Sequence, residues 1–250
     1  QILNRVNLIV DIGNTCVKLV CFDDGEVIEE KRVDGNDVVA LSRFCSKYPF
    51  SKGIVSSVSS VSDSFMEKLK GLPFRVLEFE SGVTPVPVSI GYNTPLTLGT
   101  DRLAAVVGAN DCSPGKDILV IDIGTCVTYD LISSSAEYLG GNISPGPTMR
   151  LKALHEYTSR LPLVERRGEA PLVGYSTETA IRSGVLHGIE YEINGYIHRF
   201  LTKYPHLFVY LTGGVQLDLH FSEKITIFAD RFIVPKGLNR ILEYNDEINK

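Results

Sequence analysis

The sequence predicts a mixed α/β protein made of two similar halves, and three observations support this prediction. Apolar runs of strand length alternate with segments of helical periodicity along the 250 residues. The stretch VDIGNTCV at residues 10–17 returns as IDIGTCV at residues 121–127, with one gap at Asn14. A hydrophobic content of 44% is enough for two modest cores. Strands alternating with helices favour mixed sheets flanked by helices.

The first half is expected to open as a meander of three strands. The apolar run Val6–Val10 turns into Val17–Phe22, and Asp23-Asp24-Gly25 is a strong hairpin signal before Glu26–Val33. The elements that follow should be a helix at Val38–Tyr48, a strand at Gly53–Val58, a helix at Ser62–Leu69 and a strand at Phe74–Phe79. The proline-rich stretch Gly82–Gly99 is long for a connector, and long ordered loops are often functional.

The second half should repeat this plan. Apolar residues at helical spacing predict a helix at Thr100–Asn110, and we place the boundary between the domains 1–112 and 113–250 after it. We expect strands at Ile118–Ile121, Val127–Ile132 and Leu207–Leu211, and helices at Met149–Leu161 and Ser176–Phe200. Phe232–Tyr244 should have a strand-like start, a loop at Pro235-Lys236-Gly237, and a short helix.

The two repeated turns have the composition of phosphate-binding hairpins. Gly13 and Gly124 lack Cβ, so backbone N–H groups there can approach an anion closely. Thr15 and Thr125 add hydroxyl donors, and Lys18 adds a point charge that suits phosphate. Asp11 and Asp122 fit if a cation such as Mg²⁺ lies between carboxylate and phosphate. Coincidence between two unrelated hairpins is the alternative, and the Cys-Val that follows both turns argues against it.

Other ligand classes find less support in the sequence. GxxxxGK[ST] and GxGxxG motifs are missing, so neither a P-loop nor a dinucleotide-binding fold is indicated. A net charge of −5 and a pI near 5.6 disfavour nucleic acid as a partner. Gly213 and Gly214 follow a predicted strand and could open a surface for a flat ring such as adenine. The residues alone therefore lead to an ATP-dependent phosphotransferase.

The combined motifs resemble known families. Two phosphate hairpins and the Thr-Gly-Gly segment are similar to the actin/sugar-kinase/Hsp70-like ATPase superfamily, in which two RNase H-like halves form a nucleotide cleft between them. Within it, the sequence resembles the type III pantothenate kinases. That resemblance rests on DIGNT with Lys18 downstream, YNTPLTLGTDR at 92–102, DIGTCVT, GGNISPG at 140–146, GYSTETAIRSG at 174–184 and TGG.

The resemblance implies transfer of the ATP γ-phosphoryl group to pantothenate, the first step toward coenzyme A. The ATP-binding positions that it implies are Asp11, Ile12, Gly13, Asn14, Thr15, Cys16, Val17, Lys18, Thr125, Gly213 and Gly214. The implied substrate contacts are Tyr92, Gly99, Thr100, Asp101, Arg102 and Thr177, with Asp101 also the catalytic general base. Asp122 matches a ligand of a monovalent cation, K⁺ or NH₄⁺, and Asp11 is expected to act on Mg²⁺ indirectly. A homodimer is also implied.

Two other functions remain open from the sequence. A phosphohydrolase of the same superfamily would use water as acceptor, and a catalytically silent nucleotide-binding factor could act as an accessory regulator of transcription. The motif GTDR, with Asp101, argues against both. Five scattered cysteines, and an N-terminal apolar run too short for a signal peptide, lead us to expect a cytoplasmic protein without a membrane partner.

Overall fold

The structure is a computed structural model that describes residues 6–249. These residues form two compact units. Unit 1 contains residues 6–115, 132–140 and 232–249, and unit 2 contains residues 116–131 and 141–231. The domain boundary after residue 112 stays a prediction. The repeat in the sequence did not indicate that residues 232–249 belong with unit 1.

The first part of the chain confirms the predicted strand and helix order. Its elements are β1 (Val6–Ile12), β2 (Val17–Asp23), β3 (Glu26–Val33), α1 (Val38–Lys47), β4 (Lys52–Ser57), α2 (Asp63–Lys70), β5 (Arg75–Glu78), β6 (Ser89–Ile90), a 3₁₀ turn at Pro95–Thr97 and α3 (Thr100–Cys112). Side-chain caps fix two helix starts, since Asp37 accepts from the N–H of Ala40 and Ser62 from that of Phe65.

The second part departs from the sequence expectation in places. Its elements are β7 (Ile118–Ile123), β8 (Cys126–Ile132), β9 (Glu137–Pro145), α4 (Pro147–Glu156), α5 (Thr177–Lys203), β10 (Phe208–Thr212), β11 (Thr226–Ala229) and α6 (Ile233–Ile248). The helix predicted at Met149–Leu161 begins and ends earlier, because α4 starts on Pro147 and stops at Glu156. The strands β9 and β11 had not been predicted.

The strand order shows that the two sheets share a topology. The first sheet has the order β3-β2-β1-β4-β5. The second has the order β11-β10-β7-β8-β9-β6, which reads as the same arrangement with β6 added at the edge. In both sheets, the strand that leads into the repeated turn has a parallel neighbour: β4 runs parallel to β1, and β10 runs parallel to β7. The prediction of two similar mixed sheets flanked by helices is therefore confirmed.

The C-terminal segment is one continuous helix, so the prediction of a strand-like start and a loop there was wrong. Pro235 occupies the first turn of α6, where a backbone N–H has no helical partner to lose. Gly237 is needed for close packing, because a Cβ there would lie 1.8 Å from the carbonyl oxygen of Ala104 on α3. Gly108 on α3 is needed for the same contact, because a Cβ there would lie 2.2 Å from the carbonyl oxygen of Ile233. Both glycines therefore serve helix–helix contact.

Unit 2 has its own core between its strands and the long helix α5. Ile189, Ile193 and Ile197 recur at helical spacing on α5 and are buried against Leu119 and Val209. Across residues 6–249, no helix combines the length and the apolar character that crossing a bilayer demands.

Candidate functional site

The first hairpin joins β1 to β2 through the four residues from Gly13 to Cys16. The N–H of Gly13 donates to the carbonyl of Cys16 at 3.1 Å, which closes the turn. Asp11 and Lys18 are direct cross-strand partners, and Lys18 Nζ lies 3.2 Å from Asp11 Oδ2. Asn14 and Thr15 at the tip are exposed. The turn thus presents a hydroxyl, an amide and an ammonium group close to a nearly buried carboxylate.

The second hairpin joins β7 to β8 through Gly124 and Thr125. Its turn is tighter, because the N–H of Gly124 donates to the carbonyl of Cys126 at 2.9 Å. This explains the gap at Asn14 in the sequence repeat, since the second turn is shorter. Asp122 is half-buried, and Thr125 is exposed at the tip.

Two further glycines support the second turn from unit 2. The N–H of Gly146 donates to the carbonyl of Thr125 at 2.9 Å, and a Cβ at Gly146 would lie 2.3 Å from the oxygen of Gly124. Gly213 has φ of +111°, and a Cβ there would lie 2.3 Å from the oxygen of Ile123. Any side chain at these positions would displace the turn. Gly214, in contrast, borders open space.

The first turn of α3 carries Asp101, the predicted base. Gly99 precedes the helix, and a Cβ on it would lie 2.6 Å from Asp101 Oδ1. The same oxygen accepts the backbone N–H of Arg102 at 2.8 Å. Thr100 is tied to the end of β4, because the hydroxyl of Ser56 donates to Thr100 Oγ1 at 2.8 Å. The sequence Gly-Thr-Asp therefore fixes a carboxylate at a helix N-terminus, where the helix dipole favours negative charge.

Arg102 and Tyr92 are brought together by a residue that the sequence reasoning did not single out. The guanidinium of Arg102 is buried and donates through Nη2 to the hydroxyl of Tyr138 at 3.1 Å. The ring of Tyr138 lies 5.8 Å from that of Tyr92, centroid to centroid. Gly140 packs beside Tyr92 with φ of +117°. A cation and two phenol rings therefore form one cluster in unit 1.

A cavity of about 600 Å³ opens beside Gly99 and Thr100 in unit 1. Its walls mix apolar and polar side chains, among them Met66, Phe79 and Ser81. The hydroxyl of Ser81 is buried and has no hydrogen-bond partner among residues 6–249. A buried unpaired hydroxyl is costly, so the cavity suits a ligand or water that carries a hydrogen-bonding group.

Thr177, the remaining predicted substrate contact, is the first residue of α5 in unit 2 and is exposed. A capping box between Ser176 and Thr179 fixes the start of this helix. Gly174 packs against Ala180 so closely that a Cβ would lie 2.4 Å from its Cα. The motif GYSTETAIRSG is therefore the capped N-terminus of α5, with Thr177 presented on its first turn.

The predicted cations find few side-chain ligands. Among the described residues, no group of three or more His, Cys, Asp or Glu side chains could hold a metal ion. The monovalent cation predicted at Asp122 does not require such a group, because backbone carbonyl oxygens can hold K⁺. Mg²⁺ keeps several waters and binds mostly to substrate phosphates, so a single carboxylate such as Asp11 fits it.

Comparison with known proteins identifies the family. The sequence model described as type III pantothenate kinase matches residues 7–199. A type III pantothenate kinase from Phocaeicola vulgatus is 53% identical over 243 residues, which cover 97% of this chain and 100% of the relative. The chain belongs to the type III pantothenate kinase family. One from Bacteroides fragilis is 52% identical over 241 residues, covering 96% of this chain and 99% of the relative.

Solved structures confirm the fold class at lower identity. A Campylobacter jejuni protein described as a Baf family transcriptional activator matches with a TM-score of 0.59 at 22% identity, over 96% of this chain and 99% of that one. A ROK family glucokinase from Streptomyces griseus, in complex with glucose and AMPPNP, matches with a TM-score of 0.51 at 11% identity, over 96% of this chain and 98% of that one. At these identities the likeness concerns the fold alone.

Several residues at the site had not been predicted as functional. Tyr138 lies two residues before the family motif GGNISPG, and Ser56 is the penultimate residue of β4, so neither carries a sequence signal of its own. Gly146 was part of a quoted motif, but its close approach to the second turn is visible only in three dimensions. The binding of ATP and substrate by the predicted contact residues stays a prediction.

Proposed function

We propose that the protein transfers the γ-phosphoryl group of ATP to the primary hydroxyl of pantothenate, giving 4'-phosphopantothenate and ADP. The hydroxyl oxygen forms a bond to the γ-phosphorus, the bond from that phosphorus to the β–γ bridging oxygen breaks, and the hydroxyl proton passes to Asp101. Family membership supports this reaction. The placement of Asp101 beside Gly99 is the observation that carries it.

Asp101 has the features that a general base needs. Its carboxylate is held by the N–H of Arg102 at 2.8 Å and is only partly buried, so a substrate hydroxyl can reach it. Phosphoryl transfer depends mainly on positioning and on charge neutralisation, and both are available from fixed groups here. The glycine before the helix leaves the space that the carboxylate occupies.

The two hairpins supply groups for ATP. Backbone N–H groups and the hydroxyls of Thr15 and Thr125 would donate to phosphate oxygens, and Lys18 would neutralise charge. Gly214 would border the nucleoside, since nothing occupies the space beside it within 4 Å. Asp11 would act indirectly on Mg²⁺, which would supply positive charge to offset the charge that develops on the phosphates. Asp122 would hold the monovalent cation.

The substrate would bind through Tyr92, Arg102, the Gly99–Thr100 segment and Thr177. Pantothenate is an anion at neutral pH, and the guanidinium of Arg102 offers the matching charge. The cavity beside Gly99 would take an uncharged part of the molecule, because Glu78 and Glu80 on its wall disfavour a second anion.

A homodimer in the cytoplasm completes the proposal. Large apolar side chains are exposed in unit 2 at the end of α4, in the segment that leads to α5 and on α5 itself, which supports a protein interface there. They are Tyr157, Leu163, Leu172, Val173, Tyr175 and Tyr191. Thr177 lies two residues from Tyr175, so a partner subunit at this surface would be close to a substrate contact. The five cysteines are scattered along the sequence and include no CxxC pair, which suits a reducing compartment.

The test is an assay of ADP formation with ATP, Mg²⁺ and K⁺, run with and without pantothenate. We expect ADP only when pantothenate is present, and its loss in Asp101→Asn while ATP still binds. Asp111→Asn, at the exposed opposite end of α3, is the matched control and should remain active. ADP formed without pantothenate would favour the phosphohydrolase. ATP binding without turnover in the unmodified protein would favour the regulatory nucleotide-binding factor.

A further inference from the structure

Glu192 on α5 is the centre of a hydrogen-bonded network in unit 2. Tyr129 on β8 donates its hydroxyl to Glu192 Oε1 at 2.7 Å. Arg150 on α4 donates Nη2 to Glu192 Oε2 at 2.6 Å, and Ser144 on β9 donates its hydroxyl to the same oxygen at 3.1 Å. One carboxylate therefore joins two strands and two helices, although the predicted site contained none of these residues.

The network continues directly to the second phosphate turn. Arg150 also donates Nε to the carbonyl of Pro145 at 2.7 Å and Nη2 to the hydroxyl of Ser144 at 2.8 Å. These contacts fix the two residues before Gly146. Gly146 in turn donates its N–H to the carbonyl of Thr125 and leaves no room for a Cβ. The path from Glu192 to Thr125 thus consists of short, directional contacts.

The charge state of the network suits a rigid support. Burial raises the pKa of Glu192, but the hydrogen bonds from Arg150, Tyr129 and Ser144 together lower the pKa by more than burial raises it. The net shift is therefore downward. Burial, and then the hydrogen bond to Glu192, raise the pKa of Tyr129. At neutral pH the network therefore contains a carboxylate, a guanidinium and a neutral phenol. Charge-assisted hydrogen bonds of this kind are stronger than neutral ones.

We propose that Glu192, acting through Arg150, is a positioning residue that holds the Gly124–Thr125 turn in the geometry that binds ATP phosphates. The inference rests on the proposed role of this turn in ATP binding. A phosphate site made from backbone N–H groups works only when these groups are held in place, because a small displacement weakens several hydrogen bonds at once. Glu192 itself does not contact the nucleotide.

The first test is equilibrium binding of Mg-ATP, measured by titration calorimetry, to the full chain and to Glu192→Gln. The amide is nearly the same size as the carboxylate, but it lacks the charge that holds Arg150. We expect the dissociation constant for Mg-ATP to rise about tenfold, the loss that corresponds to roughly one charge-assisted hydrogen bond. Arg150→Lys keeps a positive charge but loses the planar fork, and should weaken binding by a similar factor.

A matched control lies on the same helix. Glu190 accepts hydrogen bonds from the backbone N–H of His220 at 2.9 Å and lies near His187, but its contacts do not lead to the turn. Glu190→Gln should therefore bind Mg-ATP as the unmodified protein does, even if its melting temperature falls. A merely structural role for Glu192 would make the two variants alike.

Two further readouts separate positioning from general damage. The KM for pantothenate should stay unchanged in Glu192→Gln while the KM for ATP rises. The double variant Glu192→Gln/Arg150→Lys should be no weaker in ATP binding than either single variant, because both act through one path. Binding in Glu192→Gln and Arg150→Lys that equals the unmodified protein, or an equal loss in Glu190→Gln, would overturn the inference.

Failure of the proposed function would look different. If the unmodified protein binds Mg-ATP but does not phosphorylate pantothenate, the reaction is wrong and the binding comparison still tests Glu192. If Glu192→Gln does not fold, as judged by circular dichroism, Arg150→Lys and Tyr129→Phe test the same path. Unchanged Mg-ATP binding in both would then overturn it.

Discussion

Lys18 Nζ lies 3.2 Å from Asp11 Oδ2 across the first hairpin, and the strand register pairs these two residues directly. The Asp11 side chain is 7% exposed and that of Lys18 is 26% exposed. Lys18 therefore has two roles in our proposal: it neutralises the charge of the buried Asp11 carboxylate, and it binds a phosphate group of ATP. Substitution should separate these roles.

Lys18→Met should weaken both stability and ATP use. The buried carboxylate of Asp11 loses its ammonium partner, which should cost about 1–3 kcal/mol in the free energy of unfolding. The double variant Asp11→Asn/Lys18→Met removes the unbalanced charge and should regain most of that stability without regaining ATP binding. Urea unfolding and calorimetric titration with Mg-ATP measure the two effects. A double variant as unstable as Lys18→Met would show that the pair does not act as proposed.

Gly99→Ala should reduce kcat and leave the fold intact. The new Cβ would lie 2.6 Å from Asp101 Oδ1, so the carboxylate must move away from its present position. Displacing a base by about 1 Å can cost on the order of a hundredfold in rate. Gly195→Ala on α5 is the control, since nothing lies within 4 Å of a Cβ there. Steady-state kinetics with full activity in Gly99→Ala would contradict the assigned position of the base.

Adjacent glycines should respond differently to alanine at the end of β10. Gly213→Ala places a Cβ against the backbone of Ile123 at positive φ, and should lower stability by roughly 1–3 kcal/mol. Gly214→Ala meets no protein atom within 4 Å, so its stability should be unchanged while its affinity for ATP falls. Thermal melts and nucleotide titration distinguish the two. Equal affinity for ATP in Gly214→Ala would remove Gly214 from the nucleoside site.

Glu192 should contribute to stability in a pH-dependent way. Its pKa in the folded protein is lowered from 4.5, so the folded state favours the ionised form. The stabilisation is therefore present above the unfolded pKa and is lost as the pH falls through the folded value. The difference in unfolding free energy between the unmodified protein and Glu192→Gln should shrink as the pH falls below about 4.5. A constant difference from about pH 7 to about pH 3.5 would mean that this carboxylate is not preferentially ionised in the folded state.

The sequence predicted the features that depend on neighbours along the chain. The repeated turns, the strands on either side of each turn, and the helix starting near Asp101 follow from local periodicity and turn residues. Pro235 and Gly237 misled the prediction, because Pro is tolerated in the first turn of a helix and Gly237 permits close packing against Ala104 and Gly108. This packing depends on α3, which is far from α6 along the chain.

The supporting residues of the candidate site could not be predicted for a similar reason. Glu192, Arg150 and Tyr129 are unremarkable in their local sequence, and only the fold brings them onto one carboxylate. Tyr138 likewise acquires a role through its contact with Arg102. Local sequence patterns identify the residues proposed to bind a ligand more readily than the residues that hold those side chains in position.

The packing of α6 on α3 also bears on the order in which the protein becomes active during synthesis. The helix with Asp101 on its first turn is made early, but Gly237 and its neighbours follow only after residues 113–232. Until then, the surface of α3 that receives Ile233 is uncovered on the nascent chain. Contacts between such distant segments form late in folding. The protein should therefore acquire activity only after release of α6 from the ribosome, even though the motif with its proposed base was translated long before.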